Sequence, residues 1–139
     1  MRAIVTNIAL HGFDLKETAK CTFCNNDPET LIHLFCTCPI VVCFWENVSS
    51  WISFRLQKNI VLTEVNMVFG VITTPKNDVL INFLLLCARF LIYRCKITED
   101  KPNINQFFRM LNIIKNTEKY IAQKNNATDL FDQKWNVLL

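Results

Sequence analysis

The residues whose types and spacing could do chemistry are concentrated between positions 21 and 38. Cys21 and Cys24 are separated by two residues, His33 follows after eight more and Cys38 after another four, which gives the pattern C-x2-C-x8-H-x4-C. Zinc prefers four nitrogen or sulfur ligands in a tetrahedron, and a set of four protein ligands leaves no open position for water. The pattern therefore predicts one structural zinc ion, not a catalytic one, held by Cys21, Cys24, His33 and Cys38.

Three other interpretations of these cysteines stay open. Cys36 competes as the fourth ligand because it lies three residues after His33 on the same helix face. The spacing favours Cys38, because the proline that follows it lets the chain turn back at that residue. A redox pair needs a helix that starts at the first cysteine of a βαβ unit, whereas Asn-Asn-Asp-Pro follows Cys24. Small core cysteines with incidental spacing are the third interpretation.

The rest of the sequence offers little for catalysis. His11 stands alone next to Gly12 and is expected at the surface, and the carboxylates lack the pairing with which a polymerase or nuclease holds magnesium. With only 2 glycines, the chain cannot form the glycine-rich loops that cradle nucleotide phosphates. We therefore expect a protein that is not an enzyme and that binds no small-molecule substrate.

Helices are the elements expected to position these ligands. Pro28-Glu29-Thr30 has the proline and acid typical of a helix start, and it predicts a short helix to about Phe35 that carries His33. Pro39 opens a second helix, at about 40–56, in which apolar residues recur at three- and four-residue steps. Apolar periodicity predicts three further helices, at about 79–97 behind an N-cap at Asp78, at 104–124 and at 130–137.

These elements predict an all-α fold, an irregular helical domain with a small N-terminal CCHC zinc-binding loop–helix segment. A length of 139 residues favours a single domain, 1–139, with the zinc segment at 18–45 and the helical core at 46–139. Residues 61–71 are ambiguous, since Thr63 and Glu64 can cap a short helix that ends at Gly70 but a β-strand is also possible. Three further cysteines are expected in the core: Cys43, Cys87 and Cys95.

Charge is distributed unevenly along the chain. The net charge is +3, yet residues 87–124 carry eight basic side chains against three acidic ones, a balance of +5. Such a block, on the basic helices of residues 78–124, is typical of a surface for a polyanion, or else of solvated helix faces. The 7 cysteines, an odd number, and the lack of a signal or membrane-spanning segment predict an intracellular protein, in nucleus or cytoplasm, with no membrane partner.

A series of short motifs spans the predicted zinc segment: Cys21-x2-Cys24, Glu29-Thr30, His33-Leu34-Phe35, Cys38-Pro39 and Phe44-Trp45. The series resembles the zinc-binding segment near the C-terminus of reverse transcriptases from non-LTR (LINE-type) retrotransposons. Looser likenesses to that family's tail region extend over nearly the whole chain: Val5-Thr6-Asn7-x2-Leu10, Phe69-Gly70, the helix at 84–96 with Ile92-Tyr93, Pro102-Asn103 with Phe107, Glu118-Lys119-Tyr120-Ile121 and Trp135. The chain departs from the family in its extra cysteine, Cys36.

The resemblance implies a role in binding template RNA or target DNA during target-primed reverse transcription. Polymerase and endonuclease domains would lie N-terminal to this segment, and the chain would correspond to the C-terminal part of such a reading frame. A transposable-element protein of this kind would bind RNA or single-stranded DNA weakly and without sequence preference.

Two functions are therefore expected from the sequence. The first is a non-catalytic, zinc-binding, nucleic-acid-binding tail of a reverse transcriptase, with one structural Zn2+. Its phosphate contacts would come from seven basic residues: Arg94, Lys96, Lys101, Arg109, Lys115, Lys119 and Lys124. Arg89 either joins them or is an interior residue, because apolar side chains surround it. The second function is a zinc-stabilised helical protein-interaction module with no role in nucleic-acid binding.

Overall fold

The structure is a computed structural model that describes residues 4–71 and 75–138, and of residues 75–78 the backbone alone. Within these ranges the chain forms helices and no strand, so the all-α prediction is confirmed. The elements in chain order are α1 (Asn7–Gly12), a π segment (His33–Thr37), α2 (Pro39–Leu56), α3 (Glu64–Phe69), α4 (Pro75–Thr98), α5 (Ile104–Lys124) and α6 (Thr128–Leu138). Buried side chains of the π segment, α2, α4, α5 and α6 belong to one hydrophobic cluster.

Helix α2 lies at the centre of this cluster. It begins at Pro39, which fits the first helical turn because its missing N–H would have no partner there. Four of its five buried side chains, Val41, Phe44, Val48 and Ile52, recur at three- and four-residue steps, and the fifth is Trp45. The helix contacts α4, α5 and α6. The helix ends at Leu56, and the left-handed backbone of the next residue, Gln57 (φ 52°), turns the chain away.

Helices α4, α5 and α6 pack against one another in sequence. Asn103 caps α5 in a reciprocal capping box with Gln106, directly after Pro102. Trp135 of α6 is buried and donates its indole N–H to the Glu118 carboxylate of α5 at 2.7 Å. Among the described residues, none of the helices combines the length and the apolar character needed to cross a bilayer.

The short helix α3 resolves the ambiguity at residues 61–71. Thr63 and Asn66 form a capping box, and the helix ends before Gly70, so the helical interpretation is confirmed and the strand is wrong. Gly70 has φ 91°, and a Cβ built there would lie 2.5 Å from Oδ1 of Asn82 on α4, so only glycine fits. Arg89 is half-buried and donates to the carbonyl oxygens of Met67 and Val68, which makes it an interior residue that caps the end of α3.

Several local expectations were wrong. The helix predicted from Pro28 begins only at residue 31, because Glu29 is buried in a polar network described below. Helix α4 begins at Pro75, so Asp78 lies inside it and is not an N-cap; residues 72–74 of the predicted turn lie outside the described residues. Cys43 is exposed rather than in the core, whereas Cys87 and Cys95 are buried as expected.

Candidate metal centre

A tight turn presents the first two cysteines. The backbone N–H of Cys21 donates to the carbonyl oxygen of Asp27 at 2.8 Å, and the N–H of Asn25 donates back to the carbonyl oxygen of Cys21 at 2.9 Å. Asn25 sits in the left-handed region at φ 52°, which an asparagine tolerates and which closes the turn. The backbone N–H of Phe23 points at Sγ of Cys21 at 3.4 Å. The loop thus directs both sulfur atoms to its inner side.

The π segment positions the histidine. Its first residue, His33, donates its backbone N–H to the Thr30 hydroxyl at 3.0 Å and has its side chain buried. Nε2 of His33 lies 3.4 Å from Sγ of Cys24, and Nδ1 lies 3.5 Å from the Thr37 hydroxyl. The Thr37 hydroxyl is thus beside the second ring nitrogen, the position in which metal-ligating histidines commonly have an outer hydrogen-bond partner.

Cys38 supplies the fourth side chain at the N-terminus of α2. Its Sγ is fully buried and lies 3.8 Å from Sγ of Cys21. The backbone N–H groups of Ile40 and Val41, in the first turn of α2, are directed at this sulfur. Unpaired N–H groups at a helix start stabilise negative charge, so the position suits a thiolate.

The structure brings together the four side chains that the spacing singled out. One ligand atom from each of Cys21, Cys24, His33 and Cys38 lies within 4.8 Å of the other three, and the group could hold a metal ion. Cys36 is not in this group; its Sγ is directed at α3 and lies 4.0 Å from the carbonyl oxygen of Glu64. The geometry therefore favours Cys38 over Cys36 as the fourth ligand.

The thiols of the group differ in acidity. Burial raises the pKa of Cys21 to about 12 and also raises the pKa of Cys38. Burial also acts to raise the pKa of Cys24, but hydrogen bonds from the backbone N–H groups of Asp27 and Asn26 and from His33 outweigh it. Together they lower the pKa of Cys24 to about 7. Without a cation, Cys24 is thus the thiol most easily ionised, and buried Cys21 and Cys38 need a positive charge beside them to become thiolates.

A buried ion pair that the sequence analysis missed ties this loop to α4. Glu29 is fully buried (0% exposed), and its carboxylate accepts from the backbone N–H groups of Asn7 and Thr22, both at 2.7 Å, and from the Thr22 hydroxyl. Lys96 of α4 completes the network: its ammonium, on a side chain only 9% exposed, donates to Glu29, to Oδ1 of Asn7 and to the Thr22 hydroxyl.

The predicted phosphate contact by Lys96 is therefore wrong. Its ammonium is directed into the network with Glu29 and cannot reach a ligand at the surface. The pKa of Glu29, which burial alone would raise, is lowered by the hydrogen bonds from Lys96, Thr22 and Asn7. No motif marked the pair, because its members are 67 residues apart in the chain.

The other basic residues of the predicted set lie at or near the surface. Arg94, Lys101, Arg109, Lys119 and Lys124 are exposed, and Lys115 is half-buried. Arg94 of α4 and Arg109 of α5 line one groove of about 400 Å³ between the two helices, together with Asp100 and Gln106. Arg109 and Lys115 are six residues apart, so about 120° separates them around α5. Four of these six basic side chains thus form two pairs on different sides of α5, Arg94 with Arg109 and Lys115 with Lys119.

Comparisons of this chain with protein-family models, with curated proteins and with solved structures find no match. The likeness to the reverse-transcriptase region therefore stays a prediction, and the arrangement of Cys21, Cys24, His33 and Cys38 is the observation from which a function can be argued.

Proposed function

We propose that this chain is a non-catalytic, zinc-stabilised helical domain that binds RNA or single-stranded DNA weakly and without sequence preference. The single observation that carries the proposal is the convergence of three sulfur atoms and one imidazole nitrogen within 4.8 Å of one another. The C-terminal zinc-binding region of non-LTR reverse transcriptases is the family in which we expect such a domain.

The distances in the group support zinc. In a tetrahedral site with Zn–S bonds of about 2.3 Å and Zn–N bonds of about 2.0–2.1 Å, neighbouring sulfurs lie about 3.8 Å apart and a sulfur and a nitrogen about 3.5 Å apart. The Cys21–Cys38 sulfur distance is 3.8 Å and the Cys24–His33 sulfur–nitrogen distance is 3.4 Å. Thiolate and imidazole ligands suit zinc better than magnesium or calcium, which prefer oxygen.

A structural role for this zinc follows from the number of ligands. Four protein ligands fill a tetrahedral zinc and leave no position at which a water could be activated. The nearby buried carboxylate, Glu29, is held by Lys96 and by two backbone N–H groups, so it is not placed to act as a base for such a water. The ion would therefore fix the loop at Cys21–Cys24 against the start of α2.

Nucleic-acid binding is supported by the surface of α4 and α5. Arg94 and Arg109 are both exposed and line the same groove, which lets two guanidinium groups reach one phosphate backbone. Lys115 and Lys119, one turn apart on α5, offer a second pair on another flank. Neither pair is accompanied by a described element that could read base edges, which favours binding through phosphates without sequence preference.

Metal content tests the zinc part of this proposal. Purified under reducing conditions, the protein should contain one zinc per chain by elemental analysis, and C21S or C24S should remove it. C43S is the matched control, since Cys43 is an exposed cysteine outside the ligand group. Zinc absent from the native protein at neutral pH would contradict the site.

Salt-dependent binding to single-stranded RNA tests the nucleic-acid part. Fluorescence anisotropy should give log–log salt slopes of about 0.7 per phosphate contact, with roughly three to five contacts in all. R94A/R109A should lower the slope by about 1.4 if both side chains contact phosphates. The control K20A/K58A removes the same charge from exposed lysines outside the basic block. Absent or salt-independent binding would favour the protein-interaction module instead.

A further inference from the structure

The outer face of α4 carries apolar side chains that no described part of the chain covers. Val79 is 73% exposed, Leu86 58%, Phe90 54% and Ile97 61%. The opposite face of the helix supplies buried core residues such as Leu84, Leu85 and Ile92. Contiguous exposed apolar surface on a folded chain marks an interaction site.

The four residues fall on one line along the helix. Their successive separations are seven, four and seven residues. At 100° per residue this spacing keeps all four within about 40° of one another, and at 1.5 Å per residue the line is about 27 Å long. We call this set the α4 stripe. Phe69, at the end of α3, is also 79% exposed, and the adjacent Gly70 packs on Asn82 of α4.

The order of the separations is the same in both directions along the helix. Seven, four, seven is symmetric about residue 88, midway between Leu86 and Phe90. When the two-fold axis of a dimer is perpendicular to a helix, the two copies of that helix run antiparallel, and each contact residue meets the residue at the same distance on the other side of the axis. From this symmetry we infer that α4 pairs antiparallel with α4 of a second copy of the chain, so that Leu86 faces Phe90 of the partner subunit and Val79 faces Ile97 of the partner subunit.

The composition of the α4 stripe supports this occupant over a polyanion. No charged residue belongs to the stripe, and Arg94, the basic residue that follows Phe90 by one turn, lies toward the α5 flank where it lines the groove with Arg109. The inferred dimer goes beyond the proposed function without depending on it. Four half-exposed side chains provide roughly 400 Å² per protomer, about half of a standard interface, so we expect micromolar rather than tighter association.

Sedimentation velocity of the zinc-loaded protein over a range of about 5–500 µM tests the inference. The wild type should shift reversibly from monomer to dimer as concentration rises. L86E/F90E places four acidic groups at the centre of the interface and should raise the dissociation constant at least about tenfold. V61E/L130E is the control with the same added charge on exposed apolar residues outside the α4 stripe, and it should dimerise like the wild type.

A charge-pairing variant tests the direction of the helices. In L86K/F90E the antiparallel arrangement places Lys opposite Glu on both sides of the two-fold axis, so this variant should dimerise at least about tenfold more tightly than L86E/F90E. In a parallel pair each charge would face its own copy and the dimer would be lost. A wild type that stays monomeric throughout, an L86E/F90E protein that still dimerises, or a monomeric L86K/F90E protein of native helix content would each overturn the inference.

Discussion

Replacement of Lys96 by methionine should destabilise the protein far more than a lysine on a basic helix would suggest. The methionine has nearly the length and width of the lysine stem but cannot donate to Glu29, Asn7 or Thr22. The substitution leaves a carboxylate that is 0% exposed without its counter-charge. The same reasoning applies to E29Q, which leaves the Lys96 ammonium buried without its anion.

The expected size follows from the burial of both partners. Removing one member of a buried ion pair costs about 3–5 kcal/mol, because the remaining charge stays desolvated and unpaired. Solvent screening reduces this cost little, since the side chains of Lys96 and Glu29 are only 9% and 0% exposed. For a chain of this length the loss corresponds to a fall in melting temperature of roughly 10–20 °C. In E29Q/K96M no unpaired charge remains, so this double variant should recover most of the loss of either single variant.

Urea unfolding of the zinc-loaded proteins, followed by circular dichroism, measures these differences. K16M is the matched control: Lys16 and Glu99 form an exposed pair at 3.7 Å, and breaking it should cost about 1 kcal/mol or less. A loss below about 1 kcal/mol for K96M, or a double variant as unstable as the sum of the two single ones, would refute the reasoning. RNA binding by K96M should keep the salt slope of the wild type, because the ammonium does not reach the surface.

Three further outcomes are expected. C38S should weaken zinc binding far more than C36S, because Sγ of Cys36 lies against the carbonyl oxygen of Glu64. Competition with a chromophoric chelator measures the two affinities, and the opposite order would make Cys36 the ligand. Chelation of zinc should speed amide exchange at residues 18–44 and leave α5 protected, whereas global unfolding would mean that the apolar core depends on the metal. The folded pKa of Glu29 is lowered, so the stability that its charge contributes is complete above the unfolded pKa near 4.3 and is lost as the pH falls through the folded value. With zinc in excess, the difference in unfolding free energy between wild type and E29Q should therefore shrink in acid. A difference that stays constant with pH would contradict this.

The clustering of the four candidate ligands and the longer helices could be predicted because their signals are local. All four ligands lie within residues 21–38, where the spacing alone limits which side chains can meet. Helices α2 and α5 carry their apolar residues at three- and four-residue steps, so pattern and structure agree within a residue or two. The N-terminal helix α1 was not anticipated, although Thr6 accepts a hydrogen bond from Ala9 as an N-cap does.

The errors arose where residue type was used in place of position on the helix. Cys43 was expected in the core, yet it follows Val41 by two residues, which turns it about 200° around α2 and onto the exposed side. The sequence predicts that Lys96 contacts phosphate at the surface, although it follows the buried Ile92 by one turn. Its partner Glu29 could not be found from either helical pattern or motif spacing, because only the tertiary fold brings residues 29 and 96 together.

The Glu29–Lys96 pair also determines whether the candidate metal segment, residues 18–45, can fold when it is transferred to another protein. Zinc fingers are transferable because the ion and a few local residues supply the whole of their folding energy. Here the loop that bears Cys21 and Cys24 encloses a carboxylate whose counter-charge belongs to α4. Residues 18–45 grafted onto another protein would bring Glu29 without Lys96, and a buried anion would oppose closure of the loop around the metal. The candidate metal segment and its helical support are therefore one folding unit, and cutting between them would separate the four candidate ligands from the charge that pairs with Glu29.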